Sequence, residues 1–364
     1  MRTHIIKFLI IGAGAIGCLV GGWLAQAAHD VTFVGRPYFT EVVTEKGLTI
    51  HDEQGTQTLH PINAVNTIAE AFNPSGNPPN PHLPETLPQY DLAIVTVKSY
   101  DTAAILQDFA AVQAQGLRLP AVLSLQNGVG NEEAFIKELG NEKVIAGTVA
   151  TPVSIREAGT IQVEKPDYTI GLSGYDADAV AQLDDLDNHL QTAGFTIKRY
   201  PQPEGMKWTK LLMNMVGNAS SAILDAPPAE VFVHNHLVDL EIEAWREALA
   251  VMRASKIRPV NIGSYPFRIL APLIRLLPKR VLRPVLRKRV AGARGGKMPS
   301  LYLDLDKGKP HNEVGWLNGA VVEQGRSVGV ATPANQLLYE TLMALVQNPE
   351  KRNEWQHKVG DLHL

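Results

Sequence analysis

The sequence predicts an α/β protein whose second half is of a different kind. An N-terminal doubly wound parallel sheet is followed by a mostly α-helical C-terminal domain. Three observations lead there. An apolar stretch at the start of the chain runs into a Gly-x-Gly-x-x-Gly turn. Apolar strands then alternate with helical patterns, which is the signature of a parallel sheet with crossover helices. From about Pro203 the strands give way to long helical periods. The boundary is expected near 200, dividing the chain into 1–200 and 201–364.

The first element is Ile5-Ile6-Lys7-Phe8-Leu9-Ile10-Ile11, with six of seven residues apolar. Such a run suits a strand buried on both faces. It enters Gly12-Ala13-Gly14-Ala15-Ile16-Gly17, and a helix fits the residues from Cys18 to Ala28. In this arrangement Gly12 serves the tight turn, Gly14 a close approach of backbone to pyrophosphate, and Gly17 the packing of helix on strand. The helix N-terminus offers N–H groups and a partial positive charge to phosphates. The strand before, the helix after and the place near the start make this a Rossmann-type dinucleotide site, with Gly12, Ala13, Gly14, Ala15, Ile16 and Gly17 as cofactor contacts.

The next strand is Val31–Val34, followed by Gly35-Arg36-Pro37. Where this strand ends, an acid would bond the ribose 2′-hydroxyl of NAD, whereas an arginine suits the 2′-phosphate of NADP. There is no acid here, and Arg36 points to NADPH/NADP. Leu48–Ile50 and Gln57–Leu59 read as short strands joined through Gly55. Phe72–Tyr90 holds six prolines and is expected to be an exposed loop.

Asp91–Val97, Ala121–Leu125 and Lys143–Val149 are further buried strands, separated by helices over Ala103–Ala114 and Glu132–Leu139. Lys98 and Asn127 follow the carboxyl ends of two of them, where ligands bind in such sheets. Both are cofactor-contact candidates. Segments 161–163, 168–170 and 195–197 are expected to finish the sheet, with a helix over Ala177–Gln191. Helices are then expected over Met206–Leu224, Ala229–Met252, Glu313–Gln324 and Ala334–Val346.

At 364 residues, 45% of them hydrophobic, the chain can bury two cores. No apolar run reaches the ~18–20 residues that a membrane span needs. Cys18 is the only cysteine, so there is no internal disulfide and no cysteine cluster for a metal. No secretory pattern opens the sequence, and a cytoplasmic location is expected.

The helical part opens with Lys210, Asn214 and Asn218 at i, i+4 and i+8, which a helix stacks along one face. An ammonium and two amides in an apolar setting are either solvated or face a polar ligand.

These residues resemble the ketopantoate reductases, and the likeness covers nearly the whole chain in order. It rests on the N-terminal glycine motif, the strand ending in Lys98, Gln126-Asn127-Gly128, the Lys210-x3-Asn214-x3-Asn218 helix and the segment around Ser300 to Gly319. The resemblance implies NADPH-dependent reduction of 2-dehydropantoate to pantoate in pantothenate and coenzyme A biosynthesis. It assigns Lys210 as the catalytic general acid, Asn214, Asn218 and Ser300 to substrate, and Asn127, Lys98, Val153 and Glu313 to the cofactor. A protonated lysine can stabilise the charge that develops on a keto oxygen and then donate its proton. Activity is therefore expected to fall at alkaline pH. Two departures stand out: one extra residue between Pro310 and Glu313, and no threonine before that glutamate. Two rivals remain: a relative reducing a different, bulkier 2-keto acid, and a non-catalytic NADP-binding regulator.

The net charge of −3 hides an asymmetry. From Ala248 to Leu303 there are 13 Lys or Arg and no acid, while the remainder carries 21 basic and 37 acidic residues. Within this stretch, 264–297 has no counterpart in the compact family pattern. Its prolines at 266, 272, 278 and 284 are expected to cut it into short helical pieces. The preferred reading is a lid or arm that packs its apolar side on the helical domain or a second subunit, with its basic side pairing the acidic remainder. Contact with an anionic surface, membrane lipid or an acidic partner, ranks below that, and reshaping of the substrate site is a third role. The acidic remainder and the absence of a recognition motif argue against nucleic acid. A homodimer, if formed, would use the helical domain.

Overall fold

The computed structural model describes residues 5–73, 90–294, 297–356 and 358–363, apart from the side chains of 291–294 and 359. The expected proline-rich loop lies outside the described residues from 74 to 89. The chain divides into two compact units, residues 1–126 with 131–203, and 127–130 with 204–364.

The first unit runs β1 (Lys7–Ile11), α1 (Ala15–Gln26), β2 (Asp30–Val34), α2 (Pro37–Lys46), β3 (Leu48–Asp52), β4 (Gly55–Leu59), β5 (Asn63–Val65) and α3 (Ile68–Phe72). It continues through β6 (Leu92–Val95), α4 (Thr102–Ala114), β7 (Ala121–Ser124), α5 (Asn131–Leu139), β8 (Val144–Val149), β9 (Val153–Glu157), β10 (Thr160–Val163), β11 (Thr169–Gly174), α6 (Ala177–Thr192) and β12 (Thr196–Arg199). The main sheet has the order β12-β11-β8-β7-β6-β1-β2-β5. Phe8 to Ile11 and all of β6 and β8 are buried, as runs of apolar residues covered on both faces should be.

The sheet is not wholly parallel. From β8 to β5 every pairing is parallel, but β11 pairs antiparallel with β8. Parallel neighbours need a crossover, usually a helix. Between β8 and β11 there are only the strands β9 and β10, so the chain returns in the opposite sense. Helix α6 then supplies a crossover, and β12 pairs parallel with β11.

A second correction concerns 161–163. They do not finish the main sheet. Strand β10 joins a separate sheet of order β4-β3-β10-β9. The reason lies in α1, whose sequence is apolar nearly all round and therefore needs cover on two sides. A Cβ on Gly21 would press on Phe33 and Ile10 of the main sheet, while one on Gly22 would press on Ile50 and Leu48 of the small one. The paired glycines let a single helix lie close to both sheets.

The second unit is helical. It comprises α7 (Pro203–Met215), α8 (Ala219–Leu224), α9 (Pro228–Val231), α10 (Asn235–Ala254), α11 (Phe267–Leu276), α12 (Lys279–Arg294), α13 (Ser300–Asp306), α14 (Asn318–Val328), α15 (Pro333–Gln347) and α16 (Arg352–Trp355). The helices expected over 206–224 and 229–252 are each broken in two. Of the four prolines in 264–297, Pro266 and Pro278 lie outside helices, whereas Pro272 and Pro284 sit within α11 and α12. Both are on the exposed side, where water can take the carbonyl that an interior proline leaves without a helical partner.

Just after α1, His29 is buried against His189, with ring centroids 4.9 Å apart, and the Ile6 N–H donates to its Nδ1 at 3.4 Å. Burial, and secondarily the His189 ring, hold the His29 imidazole below the usual histidine range. The neutral form is thus favoured in the folded chain. Its contribution to stability is complete above the unfolded value and is lost progressively as pH falls below it and through the lower folded value. Urea unfolding of the native chain should show a drop in stability from about pH 7.5 to about pH 5.5, and His29→Asn should shrink that drop. An equal drop in both proteins would remove His29 from the acid limb.

Candidate functional site

Each unit carries its own polar site. In the first, the carboxyl ends of β1, β2 and β6 lie at one edge of the sheet, because these strands are parallel and adjacent. Gly12 takes φ +107, its N–H donates to the Val34 carbonyl at 3.1 Å, and the Thr96 hydroxyl donates to its own carbonyl at 2.6 Å. A Cβ on Gly12 would meet Val97 at 2.8 Å, and one on Gly17 would collide with the Gly12 carbonyl. These two glycines are demanded by the protein itself.

Gly14 is different. A Cβ there would meet no atom within 4 Å. It precedes α1, which has no side-chain cap and no acid in its first turn. The first N–H groups of a helix lack intrahelical partners and suit an anion. Bare backbone and uncommitted helix donors, neither required by internal packing, fit the pyrophosphate of a dinucleotide.

Arg36 is exposed at the end of β2 and begins α2, with Pro37 in the first turn. The adjoining Gly35 abuts this loop, since a Cβ on it would come 3.0 Å from that of Ala13. Lys98 is half-buried at the end of β6. Beside it runs a buried chain of hydrogen bonds. Asn131 donates to the Ser99 hydroxyl at 3.1 Å, Thr102 to the Asn131 amide oxygen at 2.9 Å, and Gln126 to Thr102 at 2.9 Å. This network fixes the ends of β6 and β7. Val153 opens β9 in the small sheet, paired with Val163 and packed on the unit's core.

The second unit holds a cavity of about 260 Å³ lined by Asn127, Asn214, Asn218, Lys297, Met298, Pro299, Ser300, Glu313 and Leu317. Five of these are residues that the sequence singled out. Asn127 belongs here because 127–130 packs in this unit, with the Val129 N–H donating to the Trp316 carbonyl at 3.3 Å. The Asn214 amide donates to the Asn127 side-chain oxygen at 3.0 Å.

Asn218 does not continue the helix of Lys210 and Asn214. Helix α7 stops at Met215, and Gly217 takes φ +60, a conformation that favours glycine. The buried Glu241 of α10 holds the break. It accepts the Gly217 N–H at 2.9 Å and the Ser220 hydroxyl at 2.5 Å. Asn218 is thereby turned toward α13. Its amide donates to the Asn214 carbonyl at 3.0 Å, and its side-chain oxygen accepts the Leu301 N–H at 3.1 Å. Lys210 is half-buried on α7 one turn before Asn214 and is not among the residues lining the cavity.

Glu313 is buried and opens a 3-10 turn, Glu313–Trp316. Asn312 stands where the sequence departs from the family's threonine. Its oxygen caps the turn through the Val314 N–H at 3.0 Å, and its amide donates to the Leu301 carbonyl at 3.0 Å. One asparagine thus ties α13 to the Glu313 turn. Sequence reasoning missed Lys297, Met298, Pro299 and Leu317 as lining residues, and Glu241 and Asn312 as supports. Lys297 ends a run of cations, and charge alone did not separate it from its neighbours. Among the described residues no group of three His, Cys, Asp or Glu is placed to hold a metal ion.

Comparison with known proteins adds the following. The family model described as "Ketopantoate reductase PanE/ApbA" matches residues 8–174, and "Ketopantoate reductase PanE/ApbA C terminal" matches residues 203–346. A 2-dehydropantoate 2-reductase of Pyrococcus horikoshii is 28% identical over 340 residues, covering 93% of this chain and 97% of that protein. Among solved structures, a PanE/ApbA family ketopantoate reductase from Ralstonia eutropha JMP134 aligns with TM-score 0.75 at 23% identity, over 95% of this chain and all of the other. A D-mandelate dehydrogenase solved with NADH and anilino(oxo)acetate aligns with TM-score 0.73 at 21% identity, over 95% and 99% of the two chains. At these identities the structural likeness bears on the fold.

Removing the Glu241 carboxyl would leave the buried Gly217 N–H and Ser220 hydroxyl without their acceptor. Glu241→Ala should lower unfolding free energy by roughly 2–4 kcal/mol in chemical denaturation. A loss below about 0.5 kcal/mol would mean that the α7–α8 break holds without it.

Proposed function

The chain belongs to the ketopantoate reductase family of oxidoreductases, and from that premise we propose that it reduces 2-dehydropantoate to pantoate with NADPH. One observation supports the choice of substrate above the others. Asn214, Asn218 and Ser300, named from the sequence, line one small cavity together with Lys297. Amides, a hydroxyl and an ammonium suit a compact acid that also carries a hydroxyl and a keto group, more than a large apolar one.

In this reading the bound cofactor supplies hydride to the keto carbon. The protein's residues do the rest. The backbone of Gly12–Gly17 and the start of α1 hold the pyrophosphate. Arg36 takes the 2′-phosphate, with a planar guanidinium suited to it. Lys98, Asn127, Val153 and Glu313 complete the cofactor's surroundings. Asn214, Asn218 and Ser300 fix the substrate's hydroxyl and carboxylate. Lys210, protonated, stabilises the negative charge on the keto oxygen and then gives that oxygen its proton. Proton donation of this kind typically contributes 10²–10⁴-fold.

The reading is tested by following NADPH oxidation across a panel of 2-keto acids. Ketopantoate should be the best substrate. Turnover of a bulkier acid with none of ketopantoate would reassign the substrate, and NADPH binding without turnover of any acid would make the chain a regulator. Lys210→Ala should lower kcat by roughly 10²–10⁴ while the NADPH Kd stays within about twofold; an unchanged kcat would remove Lys210 from the chemistry. Gly14→Ala should leave the melting temperature unaltered and weaken NADPH binding by about tenfold or more, since the new methyl meets only the ligand. Undiminished binding would place the pyrophosphate elsewhere.

A further inference from the structure

Helices α11 and α12 both pack on α10. Their inward residues, Phe267, Ala271 and Ile274 on one and Leu282, Leu286 and Val290 on the other, enter the core of the second unit. Three of their cations also turn inward. Arg283 pairs with Asp239 at 2.5 Å, Lys279 with Glu243 at 2.9 Å, and Arg287 donates to the carbonyls of Phe232 and Val233. Arg246 of α10 closes the end of α11 through the carbonyls of Ile274 and Leu277. The arm's inward apolar side is therefore packed on the unit, as the preferred reading of the sequence expects, but of the cations on α11 and α12 only Lys279 and Arg283 pair with acids among the described residues.

Packing does not use up its apolar residues. On α11, Ile269, Leu273 and Leu276 are 64%, 42% and 78% exposed, and their i, i+4, i+7 spacing makes one stripe. On α12, Val281 and Val285 are 43% and 55% exposed, at i and i+4. Arg268 and Arg275 flank the first stripe; Arg280, Lys288 and Arg289 border the second. All five of these cations are exposed, and none makes an ion pair among the described residues. No acid lies between Ala248 and Leu303 to offset them. Each helix thus has two apolar sides, one in the core and one exposed among cations.

We propose that this outward face of α11 and α12 docks on an anionic lipid surface, with Ile269, Leu273, Leu276, Val281 and Val285 entering the headgroup boundary and Arg268, Arg275, Arg280, Lys288 and Arg289 meeting lipid phosphates and carboxylates. The chemistry selects this occupant. Lipid takes up aliphatic side chains and cations side by side, and long basic side chains reach out from a buried stem to the headgroups. A symmetric contact between two copies would set like charges against each other. No helix among the described residues is long and apolar enough to cross a membrane, so the contact is interfacial. Near an anionic leaflet each Lys or Arg is worth roughly fivefold in partition, and salt screens the effect.

The test is co-sedimentation of the full chain with vesicles of phosphatidylcholine, with and without phosphatidylserine. The chain should pellet with phosphatidylserine vesicles at low salt, be released at moderate salt, and ignore phosphatidylcholine alone. Leu273→Ser with Leu276→Ser, and separately Arg275→Gln with Arg280→Gln, Lys288→Gln and Arg289→Gln, should each weaken binding more than about tenfold at an unchanged melting temperature. Failure to pellet with phosphatidylserine vesicles at low salt would overturn the proposal, as would binding indifferent to both variants. Sedimentation equilibrium showing a dimer that the Ser variant dissociates would overturn it in favour of a contact between copies. Capture by soluble polyglutamate with no capture by vesicles would overturn it in favour of an acidic protein partner.

Discussion

A buried carboxyl group of the second unit decides the form of its cavity. Glu241, on α10, accepts the Gly217 N–H and the Ser220 hydroxyl at the point where one long helix would otherwise run on. With the break held, Asn218 leaves the face that it would share with Lys210 and Asn214. It reaches instead to Asn214 on one side and to Leu301 on the other. Asn312 fastens the same helix, α13, to the Glu313 turn. The lining is thus a set of backbone ends tied together by asparagine amides. Buried amides satisfied in this way hold one arrangement, because each alternative leaves a donor or acceptor without a partner.

The first unit solves a different problem. A helix apolar on nearly all sides has to be covered twice, and α1 lies between the main sheet and the small one with Gly21 and Gly22 at the two contacts. That fixes the start of α1 against the ends of β1, β2 and β6. Gly12 and Gly17 are then required by the packing, while Gly14 is not, and the backbone around it is open to a ligand. The distinction matters because a glycine-rich turn alone does not say which of its glycines serves the fold and which leaves room for something else.

Much of this was legible in the sequence, for reasons that differ from place to place. The run Ile5–Ile11 into Gly12–Gly17 announces itself because a buried strand and a tight turn constrain every residue. Helices α4, α5 and α6 are legible because their apolar periods are uninterrupted. The break at Gly217 was not, since its cause is a glutamate 24 residues further on. Nor was the small sheet, whose strands look like any others until α1 needs a second cover. The prolines of 264–297 misled in the other direction. Two of them sit on exposed helix faces, where water can take the carbonyl left without a helical partner. Asn127 was placed by its strand end, yet its side chain meets Asn214. For Val153 the resemblance suggested a cofactor contact, and its place in the small sheet had no signature in the residues.

The proposed chemistry needs the ammonium of Lys210 and the amides of Asn214 and Asn218 on one small acid, although only the two asparagines line the cavity. The direct measurement is a crystal structure of the chain with NADP and pantoate bound. The account predicts Lys210 Nζ at hydrogen-bond distance, about 2.6–3.2 Å, from the pantoate oxygen that was the keto group. Pantoate seated among Asn214, Asn218 and Ser300 with another donor at that oxygen, and Lys210 turned away, would contradict it.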